Sequence, residues 1–267
     1  MSKTILITGA SSGIGEAACF ELLRRGHKVH ACARRVEKMQ PLEKAGATIH
    51  FLDVTDETSM NEVVESVGPV DVLINNAGFG LYGAVEDVTI DEARKQFEVN
   101  LFGLARMTQL VTPGMRERGS GLIMNISSMG GKVFTPLGAW YHASKHALEG
   151  WSDCLRIELA PFDIDVAIVE PGAIETEFCE QLIPPLLERS KSGSYEELAE
   201  KMAEATRRTY AGGKTTPASK TGKVLADIVD SKRRKTRYVT GYLAKPIIMM
   251  RRLMPDRLFD WIIRKFM

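Results

Sequence analysis

The chain has 267 residues, 44% hydrophobic and 26% charged, with a formal net charge of +1. These are ordinary globular values, long for one average domain but common for a single α/β domain with a sizeable core. No stretch approaches 18 uninterrupted apolar residues, which excludes a membrane-spanning helix, and the N-terminus runs into a strand-like segment with no apolar signal region. Cys19, Cys32, Cys154 and Cys179 lie far apart and form no CxxC pair, so reduced thiols in a cytoplasmic protein are expected. The charge is unevenly spread. From residue 231 onward eleven Lys/Arg face two acids, a local +9, which leaves −8 on the rest. An acidic body of that kind argues against a nucleic-acid partner.

Residues 3–8 are a short apolar, β-rich run. It ends in the turn Gly9-Ala10-Ser11-Ser12-Gly13-Ile14-Gly15. A helical pattern through Ala17, Ala18, Phe20, Leu22 and Leu23 follows, and Gly26 stops it. Residues 29–33 read as a second strand. Strand, glycine turn, helix and strand in this order form a dinucleotide-binding unit. The glycines let the backbone approach a pyrophosphate, and the helix N-terminus supplies N–H donors. The spacing here is GxxxGxG. The second strand ends in Ala33-Arg34-Arg35, with no acid to hold the ribose 2′-hydroxyl of NAD. Guanidinium pairs with a 2′-phosphate, so NADP(H) is expected in preference to NAD(H).

The alternation continues. Residues 48–52 form a strand ending at Asp53 and Val54, and Asp56 caps a helix to about residue 67. Residues 70–74 form a strand that ends in Asn75-Asn76-Ala77-Gly78. Residues 90–112 read as one long helix with Asn100 inside it, although Asn is a poor helix-interior residue. Residues 121–128 form a strand ending in Ser127 and Ser128. Residues 139–159 form a helix, and residues 165–169 a strand closed by Glu170-Pro171-Gly172. The expected fold is therefore α/β, a single-domain Rossmann-like doubly wound parallel sheet with helices on both faces. Ligands bind beyond the carboxyl ends of such strands. All the glycine, Asn and Ser motifs fall there. Residues 173–215, with two helical stretches, read as a substrate lid.

On the helix of residues 139–159, Tyr141 and Lys145 share a face. An ammonium beside a phenol favours phenolate, so the Tyr pKa is expected to fall from about 10 toward neutrality. A phenol tuned that way exchanges a proton with an alcohol oxygen at ordinary pH. As an isolated pair this is weak, since chance supplies it roughly 0.4 times in a chain of this composition. His142 and His146 have metal-ligand spacing, but no third ligand lies near them in the sequence, and no metal site is expected.

The ordered set Thr8-Gly9-x-x-x-Gly13-x-Gly15, Asn75-Asn76-Ala77-Gly78, Asn100, Ser128, Tyr141-x-x-x-Lys145 and Pro171-Gly172 resembles the short-chain dehydrogenase/reductase family, in its compact branch. The resemblance covers residues 3 to about 240, and the general look is similar to the steroid and retinoid dehydrogenases. It implies an oxidoreductase that moves a hydride between NADP(H) and a ketone or secondary alcohol. It assigns Tyr141 as the general acid or base and Ser128 to the substrate oxygen. Lys145 would lower the Tyr pKa and hold the nicotinamide ribose, and Asn100 would hold a water linking Lys145 to solvent. The implied cofactor lining is Gly9, Ser11, Ser12, Gly13, Ile14, Gly15, Arg34, Arg35, Asp53, Val54, Asn76, Ala77 and Gly78, with Tyr141 and Lys145, and then Pro171, Gly172, Ile174 and Thr176. Relatives are often homodimers or homotetramers built on the helices near residues 90–112 and 139–160. A non-catalytic NADP(H)-binding sensor or scaffold would lack Ser128, Tyr141 or Lys145. A nucleotide-sugar epimerase or dehydratase would add a longer C-terminal substrate domain.

The loops at residues 79–83, 129–137 and 172–187 carry Phe79, Leu81, Tyr82, Met129, Val133, Phe134, Phe178, Leu182 and Ile183. That is an apolar lining suited to a hydrophobic carbonyl or alcohol. The segments are expected to divide as 1–240, catalytic, and 241–267, a basic amphipathic tail. The tail's Met, Trp and Phe among basic residues fit a helix that packs over the substrate mouth or a neighbouring subunit, one that lies on a membrane surface, or one that handles an anionic substrate.

Overall fold

A computed structural model describes residues 1–211 and 213–266, the side chain of Phe266 aside. The strands are β1 (Thr4–Thr8), β2 (Lys28–Ala33), β3 (Thr48–Phe51), β4 (Val72–Asn75), β5 (Gly121–Ile126), β6 (Ile164–Pro171), the small pair β7 (Ile174–Glu175) and β8 (Thr216–Pro217), and β9 (Arg237–Thr240). The helices are α1 (Gly13–Arg24), α2 (Gln40–Lys44), α3 (Glu57–Val67), α4 (Ile90–Phe97), α5 (Leu104–Arg118), α6 (Ala139–Leu159), α7 (Phe178–Ser190), α8 (Glu196–Ala211), α9 (Ala218–Asp230), α10 (Ala244–Leu253) and α11 (Asp256–Phe266).

Seven strands form one sheet in the order β3-β2-β1-β4-β5-β6-β9, with every pairing parallel. Side chains alternate across it, as strand geometry requires. Ile5 and Ile7 face Leu22 of α1, Leu42 of α2 and Leu225 and Val229 of α9. Leu6 faces the other way, onto Met60 and Val63 of α3 and Met107, Val111 and Met115 of α5. Both faces are covered, which is why the central strands read as continuous apolar runs. A smaller core of Leu182, Ile183, Leu186, Ala199, Met202 and Ala203 holds α7 and α8 together as a hairpin against Ala84 and Leu137.

The order reverses between β1 and β4, so the crevice at their carboxyl ends is the switch point where such sheets bind ligands. The segment expected as one helix over 90–112 is interrupted. It is α4, then a π-helical turn at Glu98–Gly103, then α5, which runs on to Arg118. The wider turn seats Asn100 inward and brings Gly103 against Val54, where an added Cβ would stand 2.3 Å from the Val54 carbonyl oxygen. Neither α9 nor β9 was legible in advance. The stretch before α9 is rich in Thr, Lys and Gly, and β9 is four half-buried residues whose strand character comes from pairing with β6.

Helices α1 and α9 meet at Gly222, where a Cβ would lie 2.7 Å from the Ala17 carbonyl carbon. Alanine there is expected to gain about 1 kcal/mol of helix propensity but lose about 1–3 kcal/mol to overpacking against backbone that cannot yield. The expected net is a destabilisation of about 1 kcal/mol for Gly222→Ala, read as a lower urea midpoint at unchanged m-value.

Candidate active site

The glycine turn follows β1 directly. Gly9 adopts φ +68°, a conformation other residues rarely hold, and a Cβ on it would lie 2.8 Å from the Ala77 Cα. Gly15 is equally enclosed, with 2.5 Å from its Cβ position to the Gly9 carbonyl. The turn is tied to the end of β4. The Thr8 hydroxyl accepts from the backbone N–H of Asn76 (3.1 Å) and of Ala77 (3.0 Å). Asn76 Nδ2 donates to the carbonyls of Thr8 and Gly9 (3.1 and 2.9 Å). Asn76 thus clamps the turn. Ser12 precedes α1 in extended conformation without capping it through its side chain. Gly13 and Ile14 open the helix, and Ile14 packs onto the core.

The two arginines have different surroundings. Arg34 is exposed, and no ion pair to it occurs among the described residues. Arg35 donates to the hydroxyls of Ser11 (3.3 Å) and Ser12 (3.1 Å) and to Glu177 (3.1 Å), which also holds Lys38 (2.8 Å). Glu177 stands at the entry to α7, so this bridge ties α7 to the glycine turn. Asp53 accepts from the backbone and hydroxyl of Thr55. Burial pushes its carboxyl up, but the Thr55 hydrogen bonds and the Arg34 and Lys95 charges outweigh burial and hold it low. Val54 is buried beside it. Across the crevice, the Gly172 N–H bonds to the Thr240 carbonyl (2.8 Å), just past Pro171. Ile174 pairs with Thr216. Thr176 reaches the glycine turn, its Cγ2 2.9 Å from where a Cβ on Gly13 would be.

Tyr141, Lys145 and Asn100 converge beyond β4 and β5. The Tyr141 ring is 8% exposed and sits among Tyr82 (5.9 Å between centroids), His142 (5.6 Å) and Phe178 of α7 (5.8 Å). Ser128 stands on its hydroxyl side and opposes the rise in its pKa, and the Ser128 oxygen accepts from the Gly130 N–H (3.0 Å). The expected fall in the Tyr141 pKa is not what the surroundings produce. Burial raises it, and Ser128 opposes that rise. The reason lies in Lys145, whose ammonium turns to the Ile126 carbonyl (2.8 Å). Burial lowers the Lys145 pKa to about 8, partly countered by the Glu149 charge. Gly78 separates Lys145 from Asn100: a Cβ there would stand 3.7 Å from Lys145 Nζ and 3.1 Å from Asn100 Oδ1.

Asn100 accepts from the Phe79 N–H (3.1 Å) and donates to the Phe79 carbonyl (3.0 Å) and the Ser144 hydroxyl (3.2 Å). Gln96, fully buried, makes the companion bonds, accepting from the Leu81 N–H (2.7 Å) and donating to the Phe79 carbonyl (2.9 Å). Sequence reading missed Gln96. Its signal was an amide four residues before Asn100, on the same helical face. A second missed network, Thr108–Asn75–Asn125–Ser152, joins α5, β4, β5 and α6. Its signal was a buried amide at equivalent positions of two apolar strands. Both ring nitrogens of His142 are engaged. Nε2 accepts from the Thr135 N–H, so Nδ1 carries the proton to the Gly130 carbonyl (2.9 Å). His142 therefore positions the loop of residues 129–137.

Behind Lys145, Glu149 and Glu170 are buried together. Lys132 and Arg237 pair with Glu149 (2.8 and 3.1 Å), and Arg237 also reaches Glu170 (3.3 Å). Burial first, and Glu149 second, push the Glu170 carboxyl up.

A glycine-lined crevice at the switch point of a parallel sheet, with a phenol and an ammonium facing it from α6, defines a nicotinamide-dependent oxidoreductase of the Rossmann class. A family model described as short chain dehydrogenase matches residues 3–185. The probable short-chain type dehydrogenase/reductase VdlC of Helicobacter pylori is 34% identical over 265 residues, covering 97% of this chain and 96% of that one. A 3-ketodihydrosphingosine reductase of Bacteroides thetaiotaomicron is 42% identical over 181 residues, covering 66% of this chain and 65% of that one. Among solved structures, a closed form of serine dehydrogenase complexed with NADP+ superposes with a TM-score of 0.77 at 27% identity, covering 89% of this chain and 94% of that one. The chain belongs to the short-chain dehydrogenase/reductase family.

Proposed function

We propose that the protein is an NADP(H)-dependent reductase or dehydrogenase of a hydrophobic ketone or secondary alcohol. The observation that carries this reading is the buried Tyr141 phenol on α6, one turn before Lys145, set among the rings of Tyr82, His142 and Phe178 with Ser128 on its hydroxyl side. When bound, the nicotinamide supplies or accepts the hydride. The chain's own residues manage the oxygen. Tyr141 gives its proton to the carbonyl oxygen in reduction and takes it back in oxidation, while the Ser128 hydroxyl hydrogen-bonds the same oxygen. The Lys145 ammonium holds the ribose and favours the phenolate once its reach shifts from the Ile126 carbonyl. Asn100 and Gln96 fix the backbone at Phe79–Leu81, one wall of the pocket. The glycine cradle and the helix α1 N-terminus fit a pyrophosphate, and the unpaired Arg34 fits a 2′-phosphate.

The pocket wall supports a hydrophobic substrate. Tyr82 and Phe178 flank the phenol ring, and both pack on the apolar cluster of Leu137, Leu182 and Ile183. A relative named as a ketone reductase fits the same direction. A homodimer or homotetramer in the cytoplasm is part of the reading, supported by the exposed Phe102 and Ile157 beside α5 and on α6. So is a peripheral membrane contact through residues 241–267.

The testing experiment is NADPH oxidation over long-chain aliphatic, aromatic and polycyclic ketones, repeated with NADH. Turnover confined to small charged carbonyls, or none at all, would overturn the reading. Cofactor choice is tested separately. Arg34→Asp is expected to raise KM for NADPH about 10–100-fold, the worth of one charge-assisted contact of about 1.5–3 kcal/mol. KM for NADH should hold or fall. An unchanged NADPH preference would remove Arg34 from the phosphate site.

A further inference from the structure

The C-terminal hairpin has two unlike faces. Its inner face is a stack: Arg251 lies over the rings of Phe134 and Phe259 (5.4 Å each), and the rings meet edge to face at 5.3 Å. Phe259 is fully buried, and Arg251 also pairs with Asp256 (2.7 Å). Phe134 belongs to the loop of residues 129–137, which His142 and the Gly83 N–H fasten to the pocket. The hairpin is therefore bound to the rim of the active site.

The outer face has no counterpart. On α10, Lys245, Met249, Arg252 and Leu253 are exposed, at spacings of four, seven and eight that place them on one side. On α11, Arg257, Leu258, Trp261, Arg264 and Lys265 are exposed with the same periodicity. Met249 is 62% exposed, Leu253 75% and Trp261 53%. The Lys265 ammonium sits 4.2 Å from the centre of the Trp261 ring. None of the five basic residues forms an ion pair among the described residues. The outer side of each helix thus carries large apolar tips set among basic side chains that make no ion pair among the described residues.

We propose that this face of α10 and α11 docks on an anionic lipid bilayer surface, with Leu253, Leu258 and Trp261 at the acyl boundary and the Arg and Lys side chains on the headgroup phosphates. It deepens the peripheral contact named above and rests on that reading. Among the described residues no helix is long and apolar enough to cross a membrane, and the contact proposed is interfacial. A bilayer surface offers anionic groups and hydrocarbon together, which the face requires. A second copy fits less well. A two-fold interface sets each patch against itself, and that brings like charges together around the apolar tips. A nucleic-acid backbone would satisfy the cations but leave Met249, Leu253 and Leu258 without a partner. Through Phe134, the docked face would place the pocket rim beside the layer where a hydrophobic substrate dissolves.

The test is sedimentation of the full chain with phosphatidylcholine vesicles, with and without phosphatidylglycerol. Roughly tenfold more protein should pellet with the anionic vesicles, and added salt should reduce this. Leu253→Glu combined with Trp261→Glu, and separately Arg257→Glu combined with Arg264→Glu, should each abolish pelleting. Both variants should retain the circular dichroism spectrum and NADPH turnover on a water-soluble carbonyl. Should a variant misfold, quenching by brominated lipid decides, since wild type must lose fluorescence that Trp261→Phe does not. Equal pelleting on neutral vesicles, or variants that pellet like wild type, overturns the proposal. So does a Trp261 variant that lowers the assembly mass while wild type ignores vesicles, which would make the face a subunit contact. Turnover is measured without vesicles, so a failed catalytic reading leaves this outcome distinct.

Discussion

Tyr141→Phe is expected to lower turnover by about 10²–10⁴-fold, the usual worth of a positioned general acid or base, and to leave NADPH affinity within a few-fold. The structure makes this a clean substitution. The ring stays in place between Tyr82, His142 and Phe178, because those contacts belong to the ring faces and edges. The lost hydroxyl leaves Ser128 still accepting from the Gly130 N–H, so no buried group is stranded outright. Stability should therefore move little, and activity a great deal. Steady-state kinetics with cofactor titration by fluorescence separates the two. A Phe variant that keeps more than about a tenth of the rate would show that the proton comes from elsewhere.

Lys145→Met is expected to remove activity by a comparable factor and yet make the protein more stable at neutral pH. Lys145 is 6% exposed, and burial lowers its pKa from the ordinary 10.5 to about 8. A lysine lowered in this way disfavours folding wherever the unfolded chain holds the proton more tightly. The penalty is absent above about pH 10.5, grows as pH falls to about 8, and is constant below. At roughly 1.4 kcal/mol per pKa unit it amounts to about 3 kcal/mol at pH 7. Methionine removes the penalty but orphans the Ile126 carbonyl, at about 1–2 kcal/mol. The net gain is about 1–2 kcal/mol at pH 7, and it should shrink or reverse by pH 10.5. Urea unfolding at the two pH values measures it. A variant destabilised equally at both would mean that Lys145 is a structural cation. A gain at pH 7 with activity lost would mark it as a residue kept for function against stability.

The sheet was legible because its strands are buried on both faces and its turns carry glycine, Asn and Ser at the strand ends. Those are local features. The interruption of the helix at Glu98–Gly103 was not legible, since nothing in the local pattern distinguishes a π-helical turn from an α-helical one. Its cause is tertiary, the demand of the Phe79 backbone for two amides. The pair of arginines illustrates the same boundary. Sequence places Arg34 and Arg35 together, but only the fold assigns Arg35 to Glu177, 142 residues further on. The Tyr141–Lys145 spacing held as shared placement on α6, while its electrostatic consequence was misread. Four residues fix a face, but the side-chain direction of Lys145 is set by the Ile126 carbonyl on β5.

The close fit of α1 against α9 at Gly222 has a consequence during synthesis. The side of α1 at Ala17 and Ala18 is made almost at once, but the Gly222 surface of α9 that packs on it does not exist until about 200 residues later. At ribosomal rates that is roughly 10–40 s during which the first βαβ unit lacks its α9 neighbour. A chain stopped before α9 is therefore expected to leave that side of α1 without its neighbour.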